Sequence, residues 1–264
     1  MRIVKAEGVL RPPKVLIYGP PGVGKTVWAA QFAPRPALHL DYDVGGSAYL
    51  AALRDAEGEP LVDATGLDLA VDITPHQTEI LAQRLQSDRL AKYRCIIIDT
   101  LTMLQQSHRE TLMGIKLTAS QSIWGENGEW CRRQISAFIA APVALVVVAH
   151  DRTDIVDNRL LTRPALSPML GAGIEPLFDV ILYMGQRVRE KSGLGRILVS
   201  AGDANLRSKD RTGRLPPTLW DASGREVYQL LTDAPWEAPE EESPEEEPTD
   251  EGGKEDQPDE TEEP

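Results

Sequence analysis

The sequence predicts an α/β fold: a mostly parallel central sheet flanked by helices, with an antiparallel extension late in the chain and a disordered acidic tail after it. Three observations carry this. Short, wholly apolar runs at residues 15–18, 95–98 and 143–149 alternate with segments of helical periodicity, the pattern of strands buried on both faces and joined by crossover helices. After residue 179 two strand-like runs flank Ser192-Gly193-Leu194-Gly195, which reads as a hairpin. Residues 237–264 hold fifteen acidic side chains against one base, Lys254, and too few apolar groups to offset the entropy lost on ordering.

Charge follows the same division. The tail carries −14 of a total of −13, so residues 1–236 sum to +1, and the low isoelectric point belongs to the tail. The expected organisation is one folded domain over residues 1–234 and the tail over 235–264. Such a tail either mimics nucleic acid and competes for basic loops, recruits a partner, or is an inert solvated segment. Cys95 and Cys131 sit in apolar-patterned segments without metal-ligand or CxxC spacing, as reduced core thiols of a cytoplasmic protein do. The first residues lack a signal-type apolar region, and the longest apolar run, around Pro142, is too short to span a membrane. No membrane partner is expected.

Taken in order, Arg11-Pro12-Pro13 is a stiff lead into the strand at 15–18. The strand runs into Gly19-Pro20-Pro21-Gly22-Val23-Gly24-Lys25-Thr26, which fits G-x-x-x-x-G-K-[ST], the phosphate-binding P-loop. Gly19, Gly22 and Gly24 let the backbone curl so that several N–H groups face one phosphate. Lys25 supplies a point charge to the β- and γ-phosphates, and Thr26 an oxygen to magnesium. A helix over 25–32 aims its positive end at the same anion. The cofactors expected are therefore ATP and Mg2+, with the binding run extending from Gly19 through Pro20, Pro21, Gly22, Val23, Gly24, Lys25 and Thr26 to Val27.

Pro34 and Pro36 break the chain before a second strand at 37–42, which ends in Asp41-Tyr42-Asp43, placing acids at the carboxyl edge where ligands bind in open α/β sheets. A helix is expected over 47–56. Leu67, Leu69, Val71 and Ile73 alternate as in an exposed or edge strand. Thr74, Pro75 and Gln77 form a helix start with a capping box, and the helix carries Ile80, Leu81 and Leu85 inward to about residue 90. The apolar strand at 95–100 ends on Asp99; downstream of a P-loop this is the Walker B pattern, in which the acid holds magnesium through water. A helix over 101–113 precedes a polar stretch with Lys116, Gln121, Trp124, Glu126 and Asn127. A second helix over 129–140 buries Cys131, Ile135, Phe138 and Ile139 until Pro142 stops it. The strand at 143–149 closes on His150, a loop with Arg152, Arg159 and Arg163 follows, and the strand at 179–184 leads to hairpin strands at 187–190 and 196–200.

The order of these pieces resembles RecA-like ATPases: P-loop, acids after the second strand, Walker B, then a polar residue, His150, closing the next strand. Val146-Val147-Val148-Ala149-His150, Ser167-Pro168-Met169-Leu170 and Asp179-Val180-Ile181-Leu182-Tyr183 resemble the matching region of RadA-type proteins. Lys209-Asp210-Arg211-Thr212-Gly213 is similar to the K-x-R-x-G element of RadA and DnaB-type helicases. The compact chain looks most like the phage-encoded, core-only RecA-like proteins, a group of phage nucleotide-binding or AAA-type proteins that includes the Sak-type single-strand annealing proteins.

The resemblance implies roles at matching positions. Lys25 and Thr26 bind phosphate and magnesium, Asp99 is the Walker B acid, and His150 senses the γ-phosphate. The general base of the family is a Glu after the second strand; this chain offers Asp43 or, less well placed, Asp41, each one methylene shorter. Misplacing a water by about 1 Å can cost on the order of 100-fold in rate. Lys209 and Arg211 would reach the neighbouring subunit's γ-phosphate, which implies a homo-oligomer, ring or filament. Arg109, Lys116 and Trp124, and Arg152, Arg159 and Arg163, occupy the positions of two DNA loops, so single-stranded DNA is the expected partner, with a single-strand DNA-binding protein as a further one. Each feature also has an ordinary reading, as a strand-end histidine, a solvated basic run or charged loops. Three classes stand at this point: an oligomeric DNA-dependent ATPase, a small-molecule P-loop kinase, and a non-hydrolysing annealing or scaffold protein.

Overall fold

The computed structural model describes residues 11–43, 45–86, 92–189 and 193–233. The acidic tail and the far end of the helix expected to reach residue 90 lie outside the described residues.

Strand β1 (Lys14–Gly19) is buried along its whole length. It runs parallel to β5 (Ala144–Val156) on one side and β7 (Val180–Arg189) on the other. Beyond β5 come β4 (Cys95–Asp99), β2 (Ala37–Asp41) and β3 (Leu67–Ala70), all parallel. Beyond β7 the direction reverses through β8 (Gly193–Val199) and β10 (Thr218–Trp220). Two further strands attach to this path: β6 (Arg159–Pro164) pairs with β5, and β9 (Lys209–Asp210) with β7. The predicted parallel sheet with an antiparallel extension is what the chain builds.

Strand alternation divides the core. Val15 and Ile17 face α1 (Lys25–Phe32) and α6 (Gly224–Thr232), packing with Trp28, Phe32, Val227 and Leu231. Leu16 and Tyr18 face the other layer, α2 (Pro75–Gln86), α3 (Leu101–Met113), α4 (Gln121–Ala140) and α5 (Pro168–Ile174), through Leu85, Leu104, Ile135 and Leu170. Each such buried side chain contributes roughly 1.5–3 kcal/mol. On the first face Ser223 and Glu226 close a capping box at the start of α6. A Cβ on Gly224 would stand 2.1 Å from the Trp28 carbonyl oxygen, so α6 lies directly against the backbone of α1. Cys95 and Cys131 are free and buried, and burial pushes both thiols up to about 12, so neither is a nucleophile at neutral pH. Among the described residues no helix is long and apolar enough to cross a membrane.

Three expectations need correction. Residues 47–56 do not form an α-helix but a short 3-10 helix, Ser47–Ala52, ended by extended backbone at Leu53. The polar stretch before residue 129 is helical from Gln121: the Ser120 side chain caps the Ile123 N–H, and Asn127, despite its polarity, is buried with partners. The segment carrying Arg152, Arg159 and Arg163 is a β-hairpin, β5 continuing past His150 and turning through Asp157 and Asn158, both at positive φ (50° and 60°). That is the two-residue turn whose twist suits paired strands.

Candidate nucleotide-binding site

The P-loop leaves β1 at Gly19, where a Cβ would stand 2.0 Å from the Met184 carbonyl oxygen on β7; only glycine fits. Gly22 and Gly24 have φ of 76° and 97°, the left-handed region that glycine enters without steric cost. These two reversals turn the chain into α1, whose first N–H groups open toward the loop. Lys25 is buried, and its ammonium donates to the carbonyls of Gly19 and Pro20 at 2.8 Å each. Burial lowers its pKa, while Asp99, Asp151 and Asp43 act in the opposite sense and favour its charge.

A cleft of about 230 Å³ is bounded by Gly22, Gly24, Lys25, Thr26, Asp43, Asp99, Thr100 and His150 among others. Three strands deliver its acids and its histidine to one edge. Asp99 ends β4 and is 2 % exposed, with its Oδ1 buried and unpartnered. His150 is in register with Gly19 and donates its backbone N–H to Thr102 Oγ1 at 3.1 Å. Its ring Nε2 is 3.8 Å from Asp43 Oδ2. The two acids after β2 have separate tasks. Asp41 is buried and accepts from Ser47 Oγ (2.5 Å), Ser47 N (3.1 Å) and Asp43 N (2.9 Å), so it shapes the turn. Asp43, half exposed, is the one that faces the cleft.

The donor set fits a magnesium–nucleotide complex. A buried carboxylate oxygen without a partner is costly in a chain that folds alone, and Asp99 lines the same cleft as Thr26 and the loop glycines. Among the described residues no group of three or more His, Cys, Asp or Glu forms a metal cage. Mg2+ takes part of its coordination from phosphate oxygens and water, so Thr26 and Asp99 would be enough to hold it from the protein side.

Two residues of this neighbourhood were not singled out by sequence reasoning. His39, in the middle of β2, is fully buried with its Nε2 3.3 Å from Asp99 Oδ2, although neither ring nitrogen makes a hydrogen bond of good geometry. A lone polar residue inside Ala-Leu-His-Leu-Asp was the available signal. Arg196, from β8, reaches Gly24; nothing local in the sequence marks it.

The other expected site residues lie elsewhere. Lys209 and Asp210 pair with Ile181 and Val180, in register with Leu16 and Val15, so Lys209 is roughly 10 Å short of the carboxyl edge at strand spacing. The Lys209 ammonium donates to the Glu175 carbonyl and Arg211 to the Pro176 carbonyl, both at 2.6 Å. They are not brought to the chain's own P-loop. Arg109, late in α3, lies over the Trp124 ring of α4, 4.6 Å from its centroid, while Lys116 is exposed in the connection between these helices. On the β5–β6 hairpin Arg152 and Arg163 both pair with Asp154, at 3.0 and 2.6 Å. Arg159 is exposed near the tip.

A P-loop opening an α-helix at the centre of a parallel sheet, with an acid at the same edge two strands away on β4, defines a P-loop nucleotide-binding protein. Residues 11–212 match the family described as an AAA domain, and the chain belongs to that family. No curated protein matches it.

Proposed function

We propose that the protein is an oligomeric ATPase that acts on single-stranded DNA in phage-type homologous recombination or annealing. The observation that carries the hydrolytic part is the convergence of Lys25, Asp99, Asp43 and His150 on one cleft. In this reading ATP with Mg2+ supplies the reacting phosphate. Thr26 and Asp99 hold the metal, and Lys25 offsets charge on the terminal phosphates. Asp43 orients and deprotonates the attacking water, and His150, held by Thr102, registers the terminal phosphate. The DNA part rests on the resemblance to RecA-like proteins and on the β5–β6 hairpin, which carries Arg152, Arg159 and Arg163 together with the exposed apolar pair Ile155 and Leu160; backbone charge and base contact together are how sequence-tolerant single-strand binding works. The assembly part rests on Lys209 and Arg211 as groups acting on a neighbouring subunit.

A second reading is favoured by Asp43 itself. It is short and half exposed, a poor holder of a water molecule, as in an annealing protein that keeps ATP as a structural ligand. Phosphate release measured with and without single-stranded DNA separates the two. DNA-stimulated turnover supports the first. DNA binding with tight nucleotide and no turnover supports the second, and turnover indifferent to DNA removes the DNA role.

A further inference from the structure

The reactive groups of the cleft lie on one side of β1. Asp43, Asp99 and His150 come from β2, β4 and β5, all to the same side in the strand order, whereas β7 and β8 lie on the other. A nucleotide with its terminal phosphate toward those groups directs its α-phosphate, ribose and base over β7 and β8. This step rests on the nucleotide-binding reading above.

Arg196 stands on that side. A Cβ built on Gly24 would be 3.4 Å from an Arg196 guanidinium nitrogen, so the group lies beside the P-loop. Its Nε is shut off from solvent and has no hydrogen-bond partner, an unfavourable state for a charged donor that an anion in the loop would relieve. The backbone beneath it is held twice, Arg196 N–H to Asp221 Oδ1 and Asp221 N–H to Arg196 O, each at 2.8 Å. Farther out, Gln186 pairs with Arg196 and Val188 with Leu194. Paired residues, and residues two apart on a strand, share a face, so Val188 and Leu194 lie on the face of Arg196. They are 77 % and 65 % exposed.

We propose that the β7–β8 hairpin is the nucleoside half of the site: Arg196 binds the α-phosphate in cis, and Val188 with Leu194 forms the floor under the base. The arrangement gives the P-loop two cations with different tasks, Lys25 at the terminal phosphates and Arg196 at the nucleoside end.

Calorimetric binding of ADP and of inorganic tripolyphosphate to the full chain tests both parts. Arg196→Ala is expected to weaken both ligands roughly tenfold or more, with Arg196→Lys recovering part of the loss. Val188→Ser with Leu194→Ser is expected to weaken ADP and leave tripolyphosphate unchanged, since only ADP carries a base. Should Arg196→Ala fail to fold, Arg196→Gln, planar but uncharged, answers the same question. If Arg196→Ala binds ADP as wild type does while Lys25→Ala does not bind it, the proposal is wrong and the nucleotide reading stands. If wild type binds neither ligand, both fall. Equal loss of ADP and tripolyphosphate in the serine double variant removes the base floor.

Discussion

His39 Nε2 lies 3.3 Å from Asp99 Oδ2 between β2 and β4, with the imidazole fully buried. The contact joins β2 to β4, neighbouring parallel strands, and sets a buried ring against the Asp99 carboxylate. One oxygen is thereby confined beside the ring and the other, Oδ1, is left for the site.

His39→Ala is therefore expected to loosen Asp99 and weaken the Mg2+-dependent part of nucleotide binding by about 10–100-fold, the usual range for a group that orients a metal ligand. Titrating Mg2+ at fixed ADP measures it, and His39→Gln should fall between alanine and wild type. An unchanged Mg2+ midpoint in His39→Ala would show that the ring only fills space.

Lys14 gives a pH-dependent prediction. Its ammonium is buried and donates to the carbonyls of Ala141, at 2.8 Å, and of Val143; burial lowers its pKa to about 8 from 10.5. Between those values the unfolded chain binds the proton more than the folded one does, so this residue's contribution to stability rises with pH across that window and is lowest below it. Urea unfolding of wild type and Lys14→Met at pH 7 and pH 10 isolates the effect. Wild type should gain on the variant at the higher pH; a constant difference would refute the linkage.

The P-loop was legible because its glycines serve backbone geometry at fixed spacing, and Asp99 because it ends an apolar run downstream of that loop; the same pattern alone at Asp41 marks an acid that shapes a turn. What stayed hidden was long-range or disguised. Arg196 is 172 positions from Gly24, and register alone brings them together. The β5–β6 hairpin read as a loop because its exposed half loses the apolar run at His150 while the backbone pairing continues to Val156. The start of α4 was obscured by Gly125, Gly128 and a polar surface. Asn127 reads as a loop residue, yet it bridges His108 and the Gln105 carbonyl at 2.9 and 3.0 Å.

On DNA, the ion pairs of Asp154 set an order among the hairpin arginines. Arg159→Ala should weaken single-strand binding and reduce the salt slope by about one, as loss of one phosphate contact does. Asp154→Asn should strengthen binding at low salt, because it removes a negative charge and releases Arg152 and Arg163. Salt-dependent binding to a labelled oligonucleotide reads both. If Asp154→Asn has no effect, the hairpin is not the DNA surface.

Assembly-dependent turnover is the fourth expectation. Arg211 is exposed and held to the Pro176 carbonyl away from its own P-loop. Lys25→Ala keeps this arginine but lacks the P-loop cation, whereas Arg211→Ala keeps the P-loop. Each alone should lose on the order of 1,000-fold in rate, and an equimolar mixture should recover part of the activity. A mixture that stays inactive while mixed oligomers form excludes action in trans.

Among the described residues strand β1 pairs along its length only with β5 and β7, and this has a consequence for how the protein comes into being. On a ribosome adding about 5–20 residues per second, β1 emerges early and then waits on the order of ten seconds for Ala144 and the residues after it. During that interval its most apolar residues have open edges on both sides and no sheet to join. Until β7 arrives, the second edge of β1 at the root of the P-loop stays unpaired. A nascent chain stalled before residue 180 should thus hold the complete phosphate-binding motif in sequence and lack the ability to retain nucleotide.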